Sequence, residues 1–160
     1  ARKINIPFPI IKVGNWIGPL LVHAAAKNVK KILLLGYYGK LIKLAGGIFH
    51  THNHLADARI EILVYLALKG KLPIKLINLI MRSQTIDDAF KIIESYNPET
   101  AENLLFQISN QVEIRSTEYI KKYIMSDLKI GVVMFDRKRN IRSLSNSSQK
   151  MFSNIFTFKS

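Results

Sequence analysis

The stretch Lys30–Gly36, which reads KKILLLG, decides the fold class. Two lysines precede four consecutive apolar residues, Ile32–Leu35, and a glycine ends the run. A continuous apolar run this short is typical of a strand that is buried on both faces, as in a parallel sheet. We therefore predict that Ile32–Leu35 is an inner strand of an α/β sheet.

The residues before this run predict a βαβ unit. Ile4–Val13 is extended in character, because Pro7 and Pro9 exclude a helix there. Asn15 is placed to cap a helix over residues 16–28. A strand, a helix and a second strand in such a short span predict a βαβ-containing sheet.

The residues after the run are mostly helical in pattern. Gly36–Lys40 (GYYGK) is predicted to be the turn that leaves the strand, and Ala56–Lys69 has apolar residues at helical spacing. A helical segment over residues 72–125 follows. It consists of predicted helices at Leu72–Met81, at Thr85–Tyr96 with Thr85 as N-cap, and from Pro98 to about Met125.

Strand character returns late in the chain. Ile130–Asp136 (IGVVMFD) is the second apolar run, and Ile141–Leu144 can complete a hairpin with it. We therefore predict one α/β domain over residues 1–144. The Ser- and Lys-rich residues 145–160 are predicted to be a loose tail.

Composition limits the classes of protein that remain. The chain has 160 residues, of which 48% are hydrophobic, so it can bury a core as a single domain. It has no cysteine, which excludes disulfides and thiolate zinc sites and fits a cytoplasmic protein. No uninterrupted apolar run approaches the ~20 residues of a membrane span, so no membrane association is predicted.

The net charge of +13 favours an anionic ligand, but only weakly. Residues 1–75 and 121–160 are basic, whereas residues 76–120 are acidic. A non-catalytic anion- or RNA-binding module is therefore one alternative. Such a module needs aromatic residues among the basic ones, and only Tyr37 and Tyr38, beside Lys40, qualify. This scarcity argues against nucleic acid as a partner.

The segment Gly46–Arg59 (GGIFHTHNHLADAR) holds three alternating histidines, His50, His52 and His54. A His-x-His pair after an apolar strand is typical of metal-dependent hydrolases. The chain has four histidines and none follows His54, so no catalytic zinc site can be completed. An adventitious site built from two or three of these histidines stays open, but no functional metal is predicted.

The turn GYYGK also invites comparison with a phosphate-binding loop. The spacing between Gly36 and Gly39 is two residues too short, and Leu41 stands where a P-loop has a hydroxyl for magnesium. A dinucleotide-binding GxGxxG motif is absent. What remains is a glycine-rich polar connection between a strand and a helix, and such connections bind ligands at the carboxyl ends of strands in α/β proteins.

Three blocks of the sequence resemble the C-terminal part of the cobalt-precorrin-5B C1-methyltransferases of oxygen-independent cobalamin biosynthesis. They are VGNWIGPLLVHAA (13–25), ILLLGYYGKLIKLAGGIFHTHNHLADARIEIL (32–63) and IGVVMFDRKRNI (130–141). The middle block is the most specific, because G-x-x-G-K, A-G-G-I-F, T-H and A-D-x-R-x-E all fall in register.

Two departures from the family pattern bear on the site. The family more often has an amide at the position of His50 and a residue other than histidine at His54, so only His52 belongs to the pattern. Family chains are also roughly twice as long as this one. The resemblance therefore implies that an N-terminal region with part of the active site is missing here.

The resemblance implies transfer of a methyl group from S-adenosylmethionine to C1 of a cobalt-precorrin, a polycarboxylate tetrapyrrole that brings its own cobalt. Homo-oligomer formation is left open. The implied candidates are His52 and Asp57 for catalysis, Gly36, Gly39, Gly46 and Gly47 for the cofactor, and Lys40, Thr51, His52 and Arg59 for the substrate, with Lys43 as a further cation nearby.

Overall fold

The protein is described here by a computed structural model that covers residues 8–52, 54 and 57–152. Within these residues the chain forms a mixed α/β fold of seven helices and one three-stranded sheet. The elements in chain order are α1 (Ile17–Ala26), β1 (Lys31–Tyr37), α2 (Tyr38–Ala45), α3 (Arg59–Lys69), α4 (Ile74–Met81), α5 (Ile86–Tyr96), α6 (Pro98–Lys121), β2 (Lys129–Phe135), β3 (Ile141–Leu144) and α7 (Asn146–Phe152).

The sheet has the order β1-β2-β3, with β2 in the middle. β1 and β2 are parallel and in register from Lys31 opposite Lys129 to Tyr37 opposite Phe135. β2 and β3 form the predicted late hairpin, which is confirmed. The prediction that Ile32–Leu35 is an inner strand is wrong for the described sheet. β1 lies at its edge, and the apolar run reflects packing on both faces of the sheet: Ile32 and Leu34 pack against the main core, and Leu33 packs against the smaller cluster of Val133 and Leu144.

The βαβ unit is built from other strands and helices than the sequence predicted. Residues 8–13 form no strand, and Ile4–Pro7 lie outside the described residues. The parallel connection instead runs from β1 through α2–α6 to β2. Asn15 does not cap α1, because its side chain accepts a hydrogen bond from Thr51 Oγ1 at 3.1 Å. Proline has no N–H to donate to a ladder, which is the physical reason that this proline-containing segment joins no sheet.

The predicted helical segment over residues 72–125 is confirmed by α4, α5 and α6. Thr85 caps α5 as predicted, accepting a hydrogen bond from the Asp88 N–H at 3.1 Å. Asn97 caps α6 in the same way, with Pro98 in its first turn. Fully buried apolar side chains from α4, α5 and α6, such as Ile80 and Ile93, pack with those of β2 into one core.

Helix α2 is a helix that the sequence did not predict. Residues 36–40 were expected to form a turn, yet the helix starts at Tyr38, directly after β1. Four of its apolar side chains are buried in the core: Leu41, Ile42, Leu44 and Ala45. Helix α2 therefore places the start of the glycine-rich segment against the sheet rather than in an open loop.

The predicted loose tail is also wrong over residues 145–152. Ser145 and Ser148 are fully buried, and α7 packs against β2. The Ser145 hydroxyl accepts a hydrogen bond from the Val132 N–H at 2.9 Å, which ties the start of α7 to the sheet. Serine-rich composition misled the prediction because these hydroxyls are bonded inside the fold. Residues 153–160 lie outside the described residues.

None of the described helices has the length and apolar character needed to cross a bilayer.

Candidate functional site at the carboxyl edge of the sheet

The carboxyl ends of β1 and β2 lie side by side, because the two strands are parallel and in register. Helix α2 starts directly after β1, and its N-cap residue Tyr37 makes no capping hydrogen bond from its side chain. The hairpin turn after β2 brings three cations to the same edge, Arg137, Lys138 and Arg139. This edge of the sheet is where α/β proteins bind ligands, and here it is basic.

A buried lysine contacts the histidine-containing segment from inside the fold. Lys43 of α2 is 1% exposed. Its Nζ donates to the main-chain carbonyl of Thr51 at 3.2 Å and lies 3.9 Å from Asp57 Oδ1. Burial lowers the pKa of the Lys43 amine, and the nearby Asp57 carboxylate opposes that shift. Lys43 thus connects the two ends of the segment that carries His52.

Asp57 and Arg59 form a bidentate ion pair at the start of α3. Arg59 Nε and Nη2 donate to the two carboxylate oxygens at 2.6 and 2.7 Å. These hydrogen bonds hold the pKa of Asp57 below its usual range. Glu61, further along α3, stays exposed and is not part of this pair.

The other predicted substrate residues lie on the same side of the fold. Lys40 Nζ donates to the Gly14 carbonyl at 2.7 Å, and Thr51 is buried against Asn15. His52 is exposed, and its Nδ1 accepts a hydrogen bond from the His54 N–H at 3.3 Å. Lys40, Thr51 and His52 therefore each have a defined contact near the segment that joins α2 to α3.

The histidines do not converge on one point. His50 packs edge-on against Trp16, with 4.4 Å between ring centroids, whereas the His52 and His54 rings stack at 5.0 Å. Among the described residues no three histidine, cysteine, aspartate or glutamate side chains are grouped as metal ligands would be.

The predicted cofactor glycines differ in how open they are. A side chain added at Gly36 would meet Leu41, one at Gly39 would meet the Tyr37 ring, and one at Gly46 would meet Ile62. Gly47 has a φ of +83° and no neighbour within 4 Å of such an added carbon. Gly47 is therefore the glycine of the four that leaves open space for a ligand to approach the backbone.

Sequence reasoning missed a second polar cluster at this edge. Asp87, at the start of α5, accepts hydrogen bonds from Tyr37 Oη and Tyr38 Oη, both at 2.6 Å, and from Arg137 Nε at 2.5 Å. Burial would raise the pKa of Asp87, but the hydrogen bonds from the two tyrosines and the arginine outweigh it and lower that pKa. The only sequence signal was an aspartate in the first turn of a helix, which is ordinary there.

The family model described as "CbiD, C-terminal domain" matches residues 50–146. The chain belongs to this family. The matched range contains His52, Asp57 and Arg59 together with Asp87 and Arg137, and so covers much of the basic edge.

Curated relatives agree with membership of the CbiD C-terminal domain family. A protein of Prochlorococcus marinus subsp. pastoris (strain MED4) is 56% identical over 153 residues, covering 96% of this chain and 41% of the relative. One from Prochlorococcus marinus strain MIT 9515 is 54% identical, covering 99% of the chain and 42% of the relative. One from Synechococcus sp. strain CC9902 is 49% identical, covering 89% and 39%. All three are named cobalt-precorrin-5B C(1)-methyltransferase. The chain therefore spans about two fifths of their length. No solved structure matches the chain.

Proposed function

We propose that this chain is the C-terminal part of an enzyme that transfers a methyl group from S-adenosylmethionine to C1 of a cobalt-precorrin in cobalamin biosynthesis. The observation that carries the proposal is the 56% identity to a relative of that name over 96% of the chain. The basic carboxyl edge of the sheet supports it, because the substrate carries many carboxylates.

The residues at this edge suit a reaction that depends on positioning. The sulfonium methyl group is already electrophilic, and the macrocycle supplies the electron pair for the new carbon–carbon bond. The sulfur keeps the electron pair of the bond that breaks and leaves as S-adenosylhomocysteine. The protein then has to hold two reactants in line, which can supply most of the rate enhancement. Cobalt arrives as part of the substrate, so this reaction requires no metal ligands from the chain.

We assign substrate binding to the cations around the segment that joins α2 to α3. Lys40 bonds to the Gly14 carbonyl, next to Asn15 that contacts Thr51, and Arg59 pairs with Asp57. Each cation can donate charge-assisted hydrogen bonds to acetate or propionate groups. Gly47 is the best of the four glycine candidates for the cofactor, because its backbone is open. His52 and Asp57 remain the candidates for a direct catalytic role.

The test measures tetrapyrrole binding and methyl transfer in the complete protein that contains this chain. Lys40→Ala and Arg59→Ala are expected to weaken binding at low salt, and the loss should shrink as salt rises because screening weakens charge pairing. Arg115→Ala is the matched control, since Arg115 pairs with Glu118 on α6 at 3.1 Å. Binding by both variants that equals the parent at low salt would exclude this substrate site.

The RNA-binding alternative is less well supported by the geometry. Tyr38 is 5% exposed and packs against Phe90, with 5.1 Å between ring centroids, so it offers no face to a base. A nucleic-acid binder would show a steep fall in affinity as salt is raised. Measuring that slope with single-stranded RNA distinguishes the two functions.

A further inference from the structure

Among the described residues, no strand pairs with the outer edge of β1, the side turned away from β2. On the other side, the Lys129 N–H donates to the Lys30 carbonyl at 3.0 Å, which fixes how the backbone groups alternate along β1. The N–H and C=O groups of Lys31, Leu33 and Leu35 therefore point to the outer edge. A row of outward hydrogen-bonding groups of this kind can pair with another strand.

The outer edge of β1 lacks most of the features that protect an exposed edge strand, which are short length, charged side chains, prolines and bulges. β1 has seven residues in regular register with β2, and only Lys31, at its start, is charged. The opposite edge of the sheet is protected. β3 has four residues and includes Arg142, and its pairing with β2 shifts register between Met134 and Phe135.

The side chains of β1 are also less covered than those of β2. Five consecutive residues of β2, Ile130–Met134, are buried, whereas none of β1 is. Leu35 is 41% exposed, although Val133, its partner in the register, is 0% exposed. Helix α7 covers this face over β2, since a carbon added at Gly131 would meet Ser148 of α7. The outer strand therefore keeps apolar surface in contact with water.

The complete protein has the length to cover this edge. A long apolar edge strand that stays open promotes aggregation, so the edge calls for a partner. The chain spans 41% of the relative from strain MED4, and the matching family model is described as a C-terminal domain. More than half of that relative therefore lies outside the span of this chain. Residues 8–13, which the sequence predicted to be extended, do not supply the partner because they form no strand.

We propose that a strand from the preceding region, the part of the complete protein before this chain, pairs with the outer edge of β1 and covers Leu35. This occupant rests on the proposed function, in which the chain is the C-terminal part of a longer methyltransferase. In such strand addition the main-chain hydrogen bonds give affinity and alternate side chains give specificity. β1 ends at Tyr37, where α2 and the basic edge begin. The added strand thus brings the preceding region beside the candidate site.

Hydrogen exchange at single-residue resolution in the complete protein tests the pairing. The Leu34 amide points to β2 and is the internal reference, while the Leu33 and Leu35 amides point outward. With a strand added, Leu33 and Leu35 should exchange as slowly as Leu34. Exchange at Leu33 and Leu35 that is about a hundredfold faster than at Leu34 would show an edge open to water and would overturn the proposal.

Photo-cross-linking of the purified complete protein identifies the partner strand. In two variants, p-benzoylphenylalanine replaces Lys31, at the start of the edge, or Lys75 on α4, which is exposed like Lys31. Mass spectrometry should find Lys31 linked to a peptide of the preceding region in the same molecule, and Lys75 should not capture that peptide. Capture of residues 1–7 or 153–160, of a second copy, or of nothing would contradict the proposal.

A charge placed on the covered surface tests the apolar part of the contact. Leu35→Lys in the complete protein should lower the midpoint of thermal unfolding, because the added strand leaves the lysine poorly solvated. Leu68→Lys on α3 is the matched control, since Leu68 is 52% exposed, and it should melt like the parent. If both variants melt like the parent, Leu35 is not covered.

Two outcomes separate this proposal from the proposed function. If the complete protein transfers a methyl group to a cobalt-precorrin but Lys31 captures no peptide of the preceding region, the strand addition is wrong and the proposed function is untouched. If the complete protein transfers no methyl group and Lys31 still captures such a peptide, the strand addition stands and the proposed function fails.

Discussion

The side-chain amine of Lys43 donates a hydrogen bond to the main-chain carbonyl of Thr51, 3.2 Å away, inside the fold. Both residues are buried, at 1% and 4% exposure. A helix that packs against the sheet thereby fixes the start of the segment that carries His52. The relationship matters for the proposed ligand site, because Thr51 and His52 themselves belong to no helix or strand.

Replacing Lys43 with methionine tests this support. The substitution keeps an unbranched side chain, shorter by the terminal amine, and leaves the Thr51 carbonyl without the Lys43 donor. The loss should lower the free energy of unfolding by roughly 1–3 kcal/mol. Urea unfolding at pH 7 measures it. Lys40→Met, which removes the exposed donor to the Gly14 carbonyl, is the control and should cost less. An unchanged Lys43→Met variant would show that the contact is not needed.

The parent and Lys43→Met should also differ in how their stability depends on pH. Burial lowers the pKa of Lys43 in the native state relative to the unfolded value of 10.5. Between those two values the unfolded chain binds more protons, so the parent gains stability as pH rises toward 10.5. Lys43→Met lacks this contribution. The difference between parent and variant, which cancels the titration of other groups, should therefore change with pH between neutrality and pH 10, and a constant difference would contradict the burial effect.

Asp87 should stabilise the fold through its ionised form. Its native pKa is lowered below 3.8, so its contribution is present above that pH and is lost as pH falls through the native value. Asp87→Asn should lower the free energy of unfolding at pH 7 by roughly 1–3 kcal/mol, because three donors lose a charged acceptor. In acid, below pH 3.8, parent and variant should converge. Thermal unfolding of both proteins from pH 7 to pH 2.5 measures this, and a gap that persists in acid would contradict it.

Gly39 should not tolerate a methyl group, although alanine is the better helix former. An added Cβ would lie 2.5 Å from Tyr37 Cε1 and 2.7 Å from Tyr37 Oη, and the ring is held in place by Asp87. The displaced ring should outweigh the gain in helix propensity of ~1 kcal/mol, so Gly39→Ala should melt at a lower temperature. Gly14→Ala, where nothing lies within 4 Å, is the control and should melt like the parent. Equal melting of the two variants would show that the Tyr37 ring gives way freely.

The three histidines should differ in their effect on activity. His50→Gln and His54→Gln are expected to leave methyl transfer in the complete protein largely intact, whereas His52→Gln should impair it. The reason is that only His52 belongs to the family pattern, and the structure packs His50 against Trp16 instead. Initial rates of methyl transfer at saturating substrate measure this. Equal losses in all three variants would favour a metal site made of the three imidazoles.

Much of the secondary structure followed from local patterns. Apolar runs marked β1 and β2, Thr85 marked the start of α5, and Pro98 marked the start of α6. These signals act within a few residues, since capping and face periodicity depend on near neighbours. The sequence did not predict helix α2, because the glycines and tyrosines at its start resemble a turn. Only the packing of α2 against the core shows why these residues are helical.

The sequence by itself determined the α/β class and the order of most elements, and it predicted a basic segment that contains Lys40, His52 and Arg59 as the ligand site. Only the tertiary structure decided that β1 lies at the edge, that α7 packs on the sheet, and that Asp87 meets Tyr37 and Arg137. Asp87 is fifty positions away from each of them in the chain. A local sequence pattern indicates only how a residue's own helix or strand is buried. The contacts of Asp87 with distant side chains depend instead on how the helices between the two parallel strands pack.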